Sequence, residues 1–417
     1  MTETTFPQLA DGLEPGLVAP VARASGRRQA PLGNSTKLVH TGPRPHDRMK
    51  AKVQRFALQS VARKVLPESR TAKCLRWRAH DKEISVWKST EFGTAHYTGL
   101  LVCGSVWTCP VCGPKIAERR RAELIAGIEV HKAKGGNVHL LTLTVPHQRR
   151  DALVELLARQ KKALKAFWND RKVKAILAQM GYIGHVNALE VTHGRKSARN
   201  NGWHPHFHIL LFTGMGVDLA RFSEAQRRKW MAQLYQVWAR LCQLAGLGSP
   251  SMAHGLRLDD GSKASSYVTK WGMEDEMTRG HTKKGKQGGE TPFDLLRALL
   301  ADENDKQAAA LFREFAEAFK GKPQLRWSDG LRARLGIQKA SDQELAERAE
   351  EESTFLGTIT FDQWRDVLKV DARATVLEIA ARRSWHEVER FLWFIQGAYN
   401  GVKFDPGMLE EVRRLLI

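Results

Sequence analysis

Acidic residues are scarce in this chain of 417 residues: 45 Asp and Glu stand against 66 Lys and Arg, a net charge of +21. That imbalance points to a polyanionic partner, most simply nucleic acid. A solvated basic surface with no partner is the plainer alternative. Cysteine is sparse as well. Five in a chain of this length, an odd number, exclude a secreted disulfide scaffold. Long apolar runs are missing: no stretch of about 18 uncharged apolar residues is there to cross a membrane. The N-terminus has no basic segment followed by an apolar one, so no signal peptide is read there. These absences leave a cytoplasmic protein with no membrane partner. Hydrophobic residues, at 42%, suffice for a real core. The length predicts two or three domains.

The charge is uneven. Residues 341–417 carry 10 Lys and Arg against 15 Asp and Glu, so the excess lies in the first 340 residues. Residues 1–65, rich in Pro, Gly, Arg and Thr and without periodicity, read as a disordered basic segment. Residues 66–135 hold four of the five cysteines and read as a Cys-rich zinc module followed by a helix. Residues 136–290 alternate strand and helix signals, and 291–340 form a helical extension. Residues 341–417 look like a separate acidic helical module, with Leu377, Ile379, Val388, Phe391 and Phe394 at helical spacing.

Within 136–290, Asn137–Pro146 reads as a strand ended by proline, and 151–180 as one amphipathic helix. Runs 183–192 and 203–212, joined by a Gly-bounded basic loop, read as a hairpin. A helix over 223–246, a short strand near 255–258 and a helix over 262–271 follow. Thr291-Pro292-Phe293-Asp294 has the N-cap, N1 and N3 residues of a helix start. An antiparallel hairpin without a Gly-rich nucleotide turn favours an α+β fold, an antiparallel central sheet with helices packed on one face.

The chemistry concentrates in Trp203-His204-Pro205-His206-Phe207-His208. Side chains alternate along a strand, so His204, His206 and His208 share a face while Phe207, Ile209 and Leu211 turn into the core. Three imidazoles in a row make a metal site in need of one or two more ligands. The bland reading is a polar face of hydrogen-bonding histidines. Glu190 is the one acidic residue in either strand, and a carboxylate beside imidazoles suits Mg²⁺ or Mn²⁺. Its plainer role is a cross-strand ion pair. His193 falls on the opposite face. Tyr267 and Lys270, three apart on the expected helix, share a side, where an ammonium would favour the phenolate. Packing is the usual reason for such a pair.

Here the order Thr142-Leu143-Thr144-Val145-Pro146, His206-Phe207-His208, Tyr267-Val268-Thr269-Lys270 resembles the three motifs of HUH endonucleases. It is most similar to the single-tyrosine initiators of plasmid rolling-circle replication, over roughly 100–340. The resemblance implies a nickase. His206, His208 and an acid, with Glu190 the candidate, hold a divalent ion at the scissile phosphodiester. Tyr267 attacks and becomes linked to the 5′-phosphate, and the free 3′-OH primes synthesis. His204 is a further ligand or a support for the ligands, and Lys270 orients the phosphate or stabilises the phenolate. Plasmid origin DNA, single-stranded at the nick, and the host helicase and polymerase are the implied partners. Trp271 stands where a second tyrosine would, against a two-tyrosine mechanism, and Lys263 stands where some relatives have the terminating Glu. A relaxase or single-strand transposase of the same superfamily is an alternative, although relaxases commonly carry the tyrosine before the His motif.

A second metal site is read from Cys103-x5-Cys109-Pro-Val-Cys112-Gly113, a thiolate knuckle that Cys74 completes as a structural Zn²⁺ tetrahedron, with His80 or His96 as substitutes for Cys74. Cys242 reads as core. Lys115, Arg119, Arg120 and Arg121 follow the knuckle and are expected on DNA phosphates. Trp77, Trp87 and Trp271, each next to a basic residue, could stack on unpaired bases, although core packing is the commoner fate. From another class, a zinc-dependent DNA-binding regulator without catalysis would use the knuckle and the charge. It would leave the histidine strand unexplained.

Overall fold

A computed structural model describes residues 45–90, 93–198, 200–214, 222–259, 288–347 and 352–399. All of them belong to one unit running from Thr41 to Ile417. Its centre is a five-stranded antiparallel sheet of β3 (Asn137–Thr144), β4 (Tyr182–His193), β5 (Trp203–Thr213), β6 (Leu256–Asp259) and β7 (Leu325–Trp327), in the order β6-β3-β5-β4-β7. The hairpin expected from the Gly-bounded loop is β4 and β5, in register from His193 opposite Trp203 to Tyr182 opposite Thr213.

Alternation along β3 and β5 sends apolar residues to both faces. Leu141, Leu143, Phe207, Ile209 and Leu211 pack against α4 (Leu153–Asn169), α5 (Arg171–Gln179), α6 (Glu224–Leu244), α7 (Pro292–Ala301) and α8 (Lys306–Phe319). On the other face Leu140, Leu210 and Phe212 meet Leu124 and Ile128 of α3 (Cys112–Ala133). Helices therefore cover both faces, not one. The sequence hides this because every position from Ile209 to Phe212 is apolar, a run typical of a strand buried on both sides.

The expected single helix over 151–180 breaks at Asp170, which leaves helical geometry and accepts hydrogen bonds from the amides of Lys172 and Val173 as the N-cap of α5. The predicted start at Thr291 forms a full capping box with Asp294.

Three expected segments are corrected. Residues 1–65 are not structureless throughout: Pro45–Val65 is a helix, α1. Leu58, Ala62 and Val65, spaced at i, i+4 and i+7, enter the main core, and Phe56 enters a second one. Residues 341–417 are not a separate module. β8 (Ser353–Ile359) pairs antiparallel with β1 (Ile84–Ser89), which pairs with β2 (Ala95–Thr98), so a strand far down the chain completes a sheet begun early in it. After the short helices α9 (Leu331–Arg334) and α10 (Asp342–Glu347) and after β8, the chain folds into α11 (Phe361–Lys369), α12 (Arg373–Arg382) and α13 (Trp385–Tyr399). From these, Trp364, Leu377, Ile379, Val388 and Phe391 share a core with Ile84, Val86 and Tyr97. The helical spacing read there is real, but its apolar stripe needs this partner. The supposed 66–135 module is divided likewise. The short α2 (Arg70–Lys73) leads into Cys74, β1 and β2 join the second core, and α3 lies on the central sheet.

Candidate functional site

The histidine strand delivers its side chains where the sheet is left open. Pairing of β5 with β3 stops at His206 opposite Thr144, while pairing with β4 runs on to Trp203. Pro205, which has no N–H, thus sits where β5 has a neighbour on one side only. Its carbonyl is held by Gln160 Nε2 at 3.1 Å.

Register places Glu190 opposite His206, and Ala188 opposite His208. Glu190 Oε2 lies 3.5 Å from His206 Nε2 and 3.3 Å from His208 Nε2. The three side chains are 12–14% exposed, sunk but reachable. Each imidazole turns its Nδ1 to an oxygen: His208 to Thr142 Oγ1 at 3.2 Å, His206 to the His204 carbonyl at 3.4 Å. With the proton on Nδ1, both Nε2 lone pairs face the carboxylate. Two imidazole nitrogens and one carboxylate oxygen, all within 4.8 Å of one another, are a donor set for a divalent ion.

His204 does not join this group. It stacks on His147, ring centroids 4.7 Å apart and 15° between planes. Burial, then the charges of His206 and His147, push its pKa down to about 3, so it is neutral. Gly202, at φ +78°, brings the 146–149 loop in: a Cβ there would lie 2.8 Å from the Gln148 carbonyl oxygen. Tyr267 and Lys270 lie outside the described residues, as do Lys263 and Trp271. His193 is buried on the far face against Trp203, as its parity requires.

The four cysteines expected to form a tetrahedron come together, all buried. Sulfur–sulfur distances are 3.5 Å (Cys74–Cys112), 3.7 Å (Cys103–Cys112) and 3.8 Å (Cys74–Cys109). Zinc bound to sulfur at about 2.3 Å in a tetrahedron requires an edge of about 3.8 Å. Three backbone amides point at the sulfurs, each at 3.4 Å: Cys103 N to Cys74, Ser105 N to Cys103 and Cys112 N to Cys109. His80 is a surface residue and His96 is not in the cluster. Cys242 is core; burial pushes its thiol up to about 12.

Of the basic run after the knuckle, Lys115 is exposed as expected, but the three arginines are engaged within the chain. Arg120 is buried in ion pairs with Glu123 (2.9 Å) and Asp342 (2.7 Å), Arg119 bonds the Leu345 carbonyl and Arg121 pairs with Glu118. On a helix packed against both the sheet and α10, Arg120 and Arg121 meet acids of the chain and Arg119 a backbone carbonyl. Trp77 is exposed, with the Lys73 ammonium 4.4 Å above its ring, and Trp87 packs edge-on against Phe355.

Sequence reasoning missed Thr142 as the partner of His208, although Thr142 lies in the first motif. Register with β5 was the signal, readable only once β3 and β5 are known to be neighbours. It also missed the triad of Arg195 with Glu290 (2.7 Å) and Asp305 (2.6 Å), which ties the β4–β5 loop to the start of α7 and α8.

Residues 101–245 match the profile of a family described as replication protein. The match takes in Glu190, His206, His208 and three of the four clustered cysteines. The chain is 26% identical over 356 residues to the protein named Protein rep of Streptomyces lividans, covering 69% of this chain and 77% of that protein. It is 31% identical over 153 residues to a Streptomyces cyanogenus protein named Neomycin resistance protein, covering 31% of this chain and 34% of that protein. No solved structure matches. These likenesses support a replication protein. No helix among the described residues is long and apolar enough to cross a membrane.

Proposed function

We propose that this chain is a plasmid rolling-circle replication initiator of the HUH type, which cuts one DNA strand at the plasmid origin. The observation that carries the reading is the convergence of Glu190, His206 and His208 at the open end of the central sheet, inside the segment that matches the replication-protein family. These three would hold Mg²⁺ or Mn²⁺. What such an ion supplies, when bound, is polarisation of the scissile phosphodiester. Thr142 fixes the His208 ring, and the His204 carbonyl fixes the His206 ring, so neither must reorient to bind.

By resemblance Tyr267 is the nucleophile. Its oxygen forms a bond to phosphorus, the bond from phosphorus to the 3′-oxygen breaks, and that oxygen leaves with a proton as a free 3′-OH. The chain keeps the 5′-phosphate. Lys270 favours the phenolate or steadies the phosphate. Cys74, Cys103, Cys109 and Cys112 hold a structural Zn²⁺, which their spacing fits. The partners are the plasmid origin, single-stranded at the nick, and then the host helicase and polymerase, in the cytoplasm.

The test is a nicking assay on supercoiled DNA carrying the native origin, with Mn²⁺ or Mg²⁺ and the products run on a denaturing gel. Wild type yields nicked circles and a covalent protein–DNA adduct. Tyr267→Phe yields neither, and the double variant His206→Ala/His208→Ala loses about three powers of ten in rate, the scale of several kcal/mol of transition-state stabilisation. An adduct that survives Tyr267→Phe refutes the nucleophile. Tight binding without any nicking refutes the enzyme and favours a non-catalytic zinc-dependent regulator.

A further inference from the structure

We propose that Arg373 and Arg76 are the counter-charges of a dianionic centre formed by the four clustered cysteines and a divalent ion, so that the C-terminal part of the chain helps to retain that metal. This rests on the metal reading of the cysteine cluster given above.

Arg373 is fully buried, a rare state for a guanidinium. Its Nη1 donates to Gln59 Oε1 and, at 3.4 Å, to the Leu75 carbonyl. Gln59 in turn donates through Nε2 to the carbonyl of Cys74 and, at 3.2 Å, to that of Thr71. Arg373 is thus joined through Gln59, by two hydrogen bonds, to the backbone carbonyl of one of the clustered cysteines. Arg76, two residues past Cys74 and 8% exposed, donates to Ser60 Oγ at 2.7 Å. The same hydroxyl accepts from Arg373 Nη2 at 3.2 Å.

The charges do not cancel inside this network. Two guanidiniums share one carboxylate, Asp371, at 3.0 Å from Arg373 and 3.3 Å from Arg76. Asp371 is itself 40% exposed, and Arg76 Nε is buried with no hydrogen-bond partner. Arginine does not shed its proton in proteins, and an unbalanced buried charge is costly. Four neutral thiols next door would leave the excess standing. Four thiolates around a divalent ion carry two negative charges and answer it. The arrangement also spans the chain: Gln59 and Ser60 come from α1, Cys74 and Arg76 from the cysteine region, and Asp371 and Arg373 from the start of α12.

An ordinary scaffold role and a counter-charge role differ in sign at Asp371. If the network only braces the fold, removing either end loosens the site. If its positive charge holds the thiolates, removing the carboxylate keeps or tightens the metal. Asp371 sits at φ +50°, which Asn also tolerates, so Asp371→Asn leaves the backbone at ease.

The experiment uses the full chain loaded with one Zn²⁺, competed against a chromophoric chelator at fixed pH and ionic strength, with circular dichroism as a check of folding. Arg373→Met is expected to hold zinc at least about tenfold more weakly than wild type, and Asp371→Asn as tightly or more so. Arg373→Met holding zinc like wild type overturns the proposal, as does Asp371→Asn weakening it as much as Arg373→Met. Should Arg373→Met fail to fold, Arg76→Met replaces it, with weakening expected and wild-type retention refuting. A wild-type chain that takes up no stoichiometric zinc overturns the metal reading and this inference together, whereas the nicking assay is read independently of both.

Discussion

The histidine group and the cysteine group are both clusters of metal-type donors, yet they are built in opposite ways. The cysteines are four, chemically alike and closed off, with backbone amides on their sulfurs and apolar Val106, Ile116, Leu345 and Ala346 around them. The histidine group is three donors of two kinds on one face of a sheet, at an edge where pairing stops, with reachable side chains. A closed four-ligand set suits a structural ion, and an incomplete set suits one that must also meet a substrate. The lesson is that the number of donors matters less than what surrounds them. Tertiary cover makes one cluster part of the core, and its lack leaves the other free for chemistry.

Breaking the closed cluster should have the largest effect. Cys109→Ser removes a fully buried thiol; if the cluster holds zinc as proposed, the ion contributes folding energy directly, so Tm should drop by about 10 °C or more with loss of zinc uptake. A thermal scan with parallel metal analysis checks this. An unchanged Tm would remove the contrast between the two sites.

Next is the Arg195 triad. Arg195 and Glu290 are 7% and 6% exposed, so Arg195→Met leaves a buried carboxylate with the exposed Lys196, 3.2 Å away, as its ion partner, and should cost about 3 kcal/mol by chemical denaturation. It should also change the pH profile. Burial pushes the Glu290 carboxyl up, but hydrogen bonds from Arg195 and Lys196 outweigh it and hold the group below its ordinary 4.5. Asp305, where burial is likewise outweighed by the Ala308 amide and Arg195, lies below 3.8. Carboxyls depressed on folding stabilise fully above their unfolded pKa values, and that stability is lost as pH falls through the folded ones. Wild type should therefore lose stability below about pH 4.5, and Arg195→Met should show a shallower loss. Equal slopes for the two proteins would refute the assignment.

Thr142→Val sharpens the comparison at the open site. It keeps the shape but removes the oxygen beside His208 Nδ1, and should weaken Mn²⁺ binding about 10- to 100-fold, with Thr142→Ser close to wild type. Isothermal titration separates these, and equal affinity for all three proteins would deny Thr142 a role. The smallest effect is expected from Thr291→Ala, about 1 kcal/mol from loss of the capping box and no change at either cluster.

Much of this was legible beforehand because it is local. Parity along β5 put His206 and His208 on one face, β4 supplied Glu190, and the knuckle with Cys74 gave four sulfurs. Cap chemistry placed the start at Thr291. What escaped is what tertiary packing decides. His204 shares the parity of its neighbours but is drawn aside by His147. Arg120 looks like a phosphate contact until Glu123 and Asp342 close on it. Acidity marked 341–417 as separate because charge reports the solvent face, whereas Trp364, Leu377 and Phe391 on the hidden face belong to the core of β1 and β2.

The pairing of β8 with β1 also sets a clock. A two-stranded ribbon such as β1 with β2 is at best marginally stable alone. During synthesis it waits for a third strand roughly 260 residues further on, which at about 5–20 residues per second is on the order of tens of seconds. Through that interval the apolar face of Ile84, Val86 and Tyr97 stands uncovered, and the cysteine region lacks its Arg373 contact. A nascent chain can assemble the histidine hairpin early, but the core over β1 and β2 closes only once β8 and the helices α11 to α13 have followed.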